Sequence, residues 1–165
     1  YVYGSAEVVG LMMAAIMDLP EEAHEPARML GRAMQYINFI RDIAEDLELG
    51  RTYLPSEALA AAGLRSLNLD EVSRNVAAFC RFVRGELDRF LAWQQAADAG
   101  FHFIPHRPCV AIRTASDMYR WTAETIRTDP LIVFQRKVRP SAARVLGTIG
   151  TNALGIRVPT EKTPA

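Results

Sequence analysis

The stretch "NFIRDIAEDLELGRTYLP", residues 38–55, decides the fold class. Its apolar residues recur at three- and four-residue steps, the period of a helix and not of a strand. Gly50 stops the pattern as a C-terminal capping glycine does. Extended upstream on a helical wheel, the pattern puts Gly31, Gln35, Asn38, Asp42, Glu45 and Asp46 on one stripe, because Asn38, Asp42 and Asp46 advance by four residues each. Apolar residues such as Ala33, Ile37, Phe39, Ile40 and Ile43 cover most of the remaining circumference. Arg28 and Arg41 flank the stripe.

The same periodicity extends in both directions. Alternating β-branched runs and Asn-Gly hairpins are nearly absent, whereas Ala, Leu, Met, Arg and Glu recur at helical spacing. A first helix is expected over about residues 1–17, stopping near Asp18-Leu19-Pro20. The second starts at Glu21 or Pro26 and ends at Leu49. A loop with a short helix fills residues 51–67, and Asn68 or Asp70 then caps a helix that ends near Gly100. Another core helix runs from Pro105 or Pro108 to Arg127. Thr128-Asp129-Pro130 is a restart signal, and Pro140 breaks the last segment. The expectation is an all-α fold, one domain over residues 1–158, with a disordered polar tail at 159–165.

Bulk properties exclude several classes. A chain of 165 residues is one domain's worth. At that size folding removes roughly 70% of the unfolded chain's surface from water. Nineteen Lys and Arg balance 19 Asp and Glu, so no net field gathers nucleic acid or an anionic membrane. Cys80 and Cys109 lie far apart, which argues against a disulfide scaffold or a Cys-rich zinc site and for a reducing, cytoplasmic compartment. The longest strongly apolar run, residues 8–17, falls well short of the roughly 20 residues of a spanning helix. His102 and His106 have the i, i+4 spacing of a zinc pair, but Pro105 interrupts the helix there and no third ligand is evident. The chain opens on Tyr1 inside an apolar periodic segment, as though cut from something longer.

Two readings of the acidic stripe stand side by side. As a solvated face it tolerates like charges one turn apart, near a helix C-terminus that disfavours anions, at a few tenths of a kcal/mol each. As chemistry, two carboxylates and an amide oxygen on successive turns suit a hard divalent cation, and magnesium is usually completed by substrate phosphates. On that reading Gly31 leaves room for a ligand, and Arg41 and Arg51 are available for phosphate oxygens. The wheel alone does not choose.

A resemblance does. The span "LGRAMQYINFIRDIAEDLELGRTYLP", residues 30–55, resembles the second aspartate-rich signature of the squalene/phytoene synthase family, the head-to-head prenyl diphosphate synthases. Leu30, Gly31, Gln35, Asn38, Arg41, Asp42, Asp46, Arg51, Tyr53 and Pro55 are all in register. The opening "YVYGSAEVVGLMMAAI" is similar to the family's other signature but departs at Val2 and Glu7, where small residues are usual. "AIRTASDMY" (111–119) and "DPLIVFQRKVRPS" (129–141) look like its C-terminal helices. Within the family the sequence looks closest to phytoene synthase.

The resemblance implies an isoprenoid-synthase helical bundle in which a further aspartate-rich helix lies upstream of Tyr1, so that this chain is the C-terminal portion. It implies condensation of two prenyl diphosphates through a cyclopropyl intermediate, with magnesium, or manganese in its place, bound by Asn38, Asp42 and Asp46. Tyr119 joins Asp42 and Asp46 as a catalytic candidate. Arg41, Arg51 and Tyr53 would contact a diphosphate, Tyr119 and Arg136 would face the same site, Gln35 would line the pocket beside the metal ligands, and Tyr1 would bind substrate. Ser5, Ala6, Gly10, Met13, Ala27, Leu30 and Met34 would line the channel for the apolar chains. The prenyl diphosphates are the expected partners, with peripheral membrane contact for release of an apolar product. C20 substrates give phytoene; farnesyl diphosphate gives dehydrosqualene, or squalene when NADPH is the reductant. Two other readings remain open: a non-catalytic helical interaction module, and a trans-prenyltransferase or terpene cyclase, whose register fits less well. The 165 residues alone are expected to bind magnesium weakly and not to turn over.

Overall fold

In the computed structural model, which describes residues 2–155, every regular element is helical. Tyr1 and the expected disordered tail lie outside the described residues. A π-helical turn, Tyr3–Glu7, leads into α1 (Val8–Ile16). A 3-10 turn, Glu21–Ala23, then opens α2 (His24–Arg41), followed by α3 (Ile43–Glu48) and α4 (Ser56–Ala61). Next come α5 (Leu69–Arg74), α6 (Val76–Asp98), α7 (His106–Thr128), α8 (Ile132–Gln135) and α9 (Ala142–Ala153).

The helix ends have local causes. After α1 the chain leaves through Asp18 at φ 52°, a left-handed conformation that aspartate tolerates better than most residues. There the Leu19 N–H donates to Ala14 O at 3.0 Å and the Asp18 N–H to Ala15 O at 3.1 Å. Gly50, at φ 66°, closes α3 in the same way, with Arg51 N–H on Asp46 O at 2.8 Å and Gly50 N–H on Leu47 O at 3.0 Å. Both pairs form the double hydrogen bond that satisfies the last carbonyls of a helix. At the start of α9, Ser141 Oγ accepts from the Arg144 N–H.

Two helices that periodicity joins are broken in the structure. Asp42 sits at φ −98°, ψ 16°, between α2 and α3, although its N–H still donates to Asn38 O at 2.8 Å. Asn75, at φ −132°, ψ 40°, separates α5 from α6, and its side-chain amide donates to Glu71 O at 3.2 Å. That side-chain bond offers the backbone an alternative to the helical ladder.

α2 occupies the centre, packed against α1 and its π turn, α6 and α7. Its faces, with Ile43 of α3, supply Ala33, Tyr36, Ile37, Phe39 and Ile40 to the core, opposite Phe79, Val83, Leu87 and Phe90 of α6 and Ile126 of α7. Each such side chain contributes about 1.5–3 kcal/mol by leaving water. α1 and α2 cross in direct backbone contact: a Cβ at Gly31 would lie 2.2 Å from Ala6 O, and one at Gly10 equally 2.2 Å from Ala27 O. Gly31 therefore serves the close approach of the π turn to α2, and it also lines an apolar cavity. Around this frame α8 packs on α3 and α9 on α7.

Candidate active site

The acidic stripe is only partly solvated, with Glu45 exposed and the rest drawn inward. Asn38, Asp42 and Asp46 are all partly buried, and the Asp42 side chain is only 19% exposed. In a regular helix adjacent residues point about 100° apart and do not face one another. The departure at Asp42 lets the Arg41 fork reach its neighbour, with Nε on Oδ1 at 2.7 Å and Nη2 on Oδ2 at 2.6 Å. Lys137, in the extended segment after α8, adds a second cation, its Nζ 3.2 Å from Asp42 Oδ1 and 2.5 Å from Glu45 Oε2.

These charges and burial shift Asp42 and Asp46, two of the stripe's three carboxylates, in opposite directions. Burial alone would raise the Asp42 carboxyl, but Arg41 and Lys137 outweigh it and hold the group below the ordinary carboxylate range. Asp46 goes up, first through burial and then through the negative charge of Asp42, with Arg51 opposing in part. Lys137 is pushed up by its bond to Glu45, burial opposing and Asp42 adding. Asn38 Oδ1 is buried and has no hydrogen-bond donor. An unpartnered buried acceptor one turn before the Asp42 carboxylate, with Asp46 a further turn on, is an all-oxygen set of the kind that suits a hard divalent cation. Among the described residues no group of three or more His, Cys, Asp and Glu is arranged to hold a metal.

One helical turn before Asn38, the same helix lines an apolar cavity of about 240 Å³. Gly10 and Met13 come from α1, and Ala27, Leu30 and Met34 from α2. The ends of α6 and α7 close the back with Ala97, Gly100, Ile112 and Ala115. The apolar hollow and the Asn38 side chain thus belong to one helix, with Asp42 and Asp46 following at its break and in α3.

Comparison with known proteins agrees with this geometry. The model of squalene/phytoene synthases matches residues 1–144. The chain belongs to the squalene/phytoene synthase family. It is 42% identical over 121 residues to a 15-cis-phytoene synthase of Enterobacter agglomerans, covering 73% of this chain and 41% of that protein. A 15-cis-phytoene synthase of a Paracoccus species is 30% identical over 151 residues, covering 91% of this chain and 48% of its own. Among solved structures, a dehydrosqualene synthase in complex with ligand superposes with a TM-score of 0.77 at 25% identity, over 94% of this chain and 55% of that one. A squalene synthase from Alicyclobacillus acidocaldarius gives 0.68 at 26%, over 78% and 49%. The chain therefore spans about two fifths to a half of the length of these relatives.

Within the squalene/phytoene synthase frame, the residues marked from the sequence fall into three groups. Asp42 and Arg41 pair at the break between α2 and α3, and the partly buried Tyr119 of α7 packs on the core with an electrostatic influence on Arg41. Asp46, Arg51 and Tyr53 line one small crevice, and the Tyr53 ring stacks on Phe39 with centroids 4.5 Å apart. Gly10, Met13, Ala27, Leu30 and Met34 gather at the cavity, whereas Ala6 is buried under Gly31 and Ser5 is exposed. Gln35 is partly buried on the stripe, and Tyr1 lies outside the described residues.

Three features escaped the sequence. Arg136 is exposed, and its neighbour Lys137 is the cation that meets Asp42 and Glu45. The back wall of the cavity comes from α6 and α7, which no motif marks. Glu7, the departure from the family pattern, is buried between two arginines of α2: Arg28 Nη2 at 3.0 Å and Arg32 Nη2 at 2.7 Å. Burial alone would raise its carboxyl, but the two guanidiniums hold it below the ordinary value. No helix among the described residues is long and apolar enough to cross a membrane.

Proposed function

We propose that this chain forms one wall of the active site of a phytoene synthase, a prenyltransferase that joins two geranylgeranyl diphosphates head to head through a cyclopropyl intermediate. The observation that carries the reading is the shared face of the central helix. Ala27, Leu30 and Met34 line an apolar hollow, and Asn38, Asp42 and Asp46 present oxygens in the next turns. A molecule with a charged head and a long apolar tail fits that order, because Met34 at the edge of the hollow lies one helical turn, about 6 Å at 1.5 Å per residue, before Asn38.

Asn38, Asp42 and Asp46 would hold magnesium, or manganese in its place. When bound there, the metal supplies positive charge to a leaving diphosphate. The chain's own residues do the rest. Arg51 and Tyr53, beside Asp46, stand where they can take diphosphate oxygens, and Gln35 borders them on the stripe. Arg41 holds Asp42 ionised and in place. Tyr119, with its electrostatic influence on Arg41, sits at the junction of polar wall and core, where it can orient the reacting end. Gly10, Met13, Leu30 and Met34 keep water from a carbocation.

A second reading, dehydrosqualene or squalene synthesis from farnesyl diphosphate, is favoured by the backbone likeness to the two solved structures. Higher identity to proteins named phytoene synthases favours the first. Product analysis of the protein that carries this sequence, given C15 and C20 diphosphates with and without NADPH, separates them. Phytoene from C20 without reductant is expected. A C30 product made in preference selects the second reading, and no product from either substrate with magnesium rejects both.

A further inference from the structure

We propose that Lys137 is a tethered counter-cation of the acidic wall, holding Asp42 and Glu45 against bare divalent metal and releasing Asp42 when the metal arrives with a diphosphate. The inference rests on the reading of Asn38, Asp42 and Asp46 as metal ligands, and adds an order of binding to it.

Asp42 Oδ1 is shared by two cations, Arg41 Nε at 2.7 Å and Lys137 Nζ at 3.2 Å. Nearby, Asn38 Oδ1 is buried with no donor at all. A metal ion approaching that oxygen therefore meets an ammonium already in place on the next ligand. The two cations differ in how easily they move. Arg41 binds both Asp42 oxygens through a planar fork from the adjacent position in the chain. Lys137 is a point charge on a flexible four-carbon stem, with three donors that can turn to new acceptors. Its backbone is fixed, because Val138 beside it is 2% exposed, while its side chain is 24% exposed and has room to swing. Alone, a divalent ion is repelled by Lys137. Carried on a diphosphate, it brings acceptor oxygens to which the ammonium can transfer, so that no charge is left unpaired.

Calorimetric titration of the 165-residue chain with magnesium chloride alone, then with magnesium and inorganic pyrophosphate together, tests this. Lys137→Met is expected to bind bare magnesium about tenfold more tightly, the effect of removing a unit charge next to a divalent ion near the surface. It should bind magnesium pyrophosphate several-fold more weakly, and Lys137→Arg should stay near wild type in both arms. Circular dichroism checks helicity, with Lys137→Gln read in place of Lys137→Met if the latter loses it. Equal or weaker binding of bare magnesium by Lys137→Met overturns the proposal. An Asp42→Asn control tells the two failures apart. If it abolishes magnesium binding while Lys137→Met changes nothing, the counter-cation falls and the metal wall stands. If Asp42→Asn leaves magnesium binding intact, or wild type and Lys137→Met both fail to bind, the wall falls and Lys137 with it.

Discussion

Asp42, partly buried, and Glu7, buried, are carboxylates each bound by two cations, and they differ in what surrounds them. Asp42 lies beside Asp46 and the unpartnered Asn38 oxygen, where positive charge is still needed. Glu7 has Arg28, which also pairs with Glu25, and Arg32, and it ties the π turn before α1 to α2. The Glu7 ion group is therefore structural, and its contribution depends on pH. Its carboxyl is held below the ordinary value of 4.5, so the stabilisation is complete above that value and fades as pH falls through the lower folded value. Glu7→Gln should cost about 2 kcal/mol at pH 7, less than a fully buried pair because the arginines still reach water. The cost should shrink at pH 3. Urea unfolding at the two pH values measures it, and equal losses at both would contradict the account. At this scale the sequence was most informative where residues are four apart: Asn38, Asp42 and Asp46 could be placed on one face from spacing alone. Lys137 could not, because 92 residues separate it from Glu45 and no local pattern encodes that contact.

For single elements, helix identity was legible and helix continuity was not. The period of apolar residues continues through Asp42 and Asn75, where the structure breaks the helices. At Asn75 a side-chain amide takes the Glu71 carbonyl from the regular ladder, whereas at Asp42 the backbone bonds to Asn38 and from Asp46 are kept and only the dihedral angles depart. The glycines show the same limit, since a glycine at a helix crossing and a glycine facing open space read alike. Gly31→Ala would place a methyl carbon 2.2 Å from Ala6 O and force α1 away from α2, at an expected cost of about 3 kcal/mol. Gly85→Ala, in α6 with nothing within 4 Å of the new carbon, should stabilise by about 0.5–1 kcal/mol. Thermal unfolding of the two variants checks the opposite signs. A neutral Gly31→Ala would mean that α1 and α2 are not held at this distance.

Across the whole molecule, the cavity is the feature least accessible to sequence reasoning. Its front, from α1 and α2, carries recognisable small residues and methionines, whereas its back depends on where the ends of α6 and α7 come to rest. Enlarging the back wall by Ala115→Phe should shorten the prenyl chain accepted. The ratio of kcat/KM for C20 over C15 diphosphate is expected to fall about tenfold, as apolar pockets discriminate a few methylenes. An unchanged ratio would place the prenyl chain elsewhere.

The central claim is that the stripe of α2 and α3 works as a metal–diphosphate wall and not as an ordinary helix face. Magnesium-dependent turnover of C20 diphosphate, compared between wild type and Asp42→Asn in the protein that carries this sequence, tests it most directly. The account predicts that turnover is abolished while far-ultraviolet circular dichroism still shows the full helical content. Turnover at the wild-type rate in Asp42→Asn, with unchanged magnesium dependence, would contradict it.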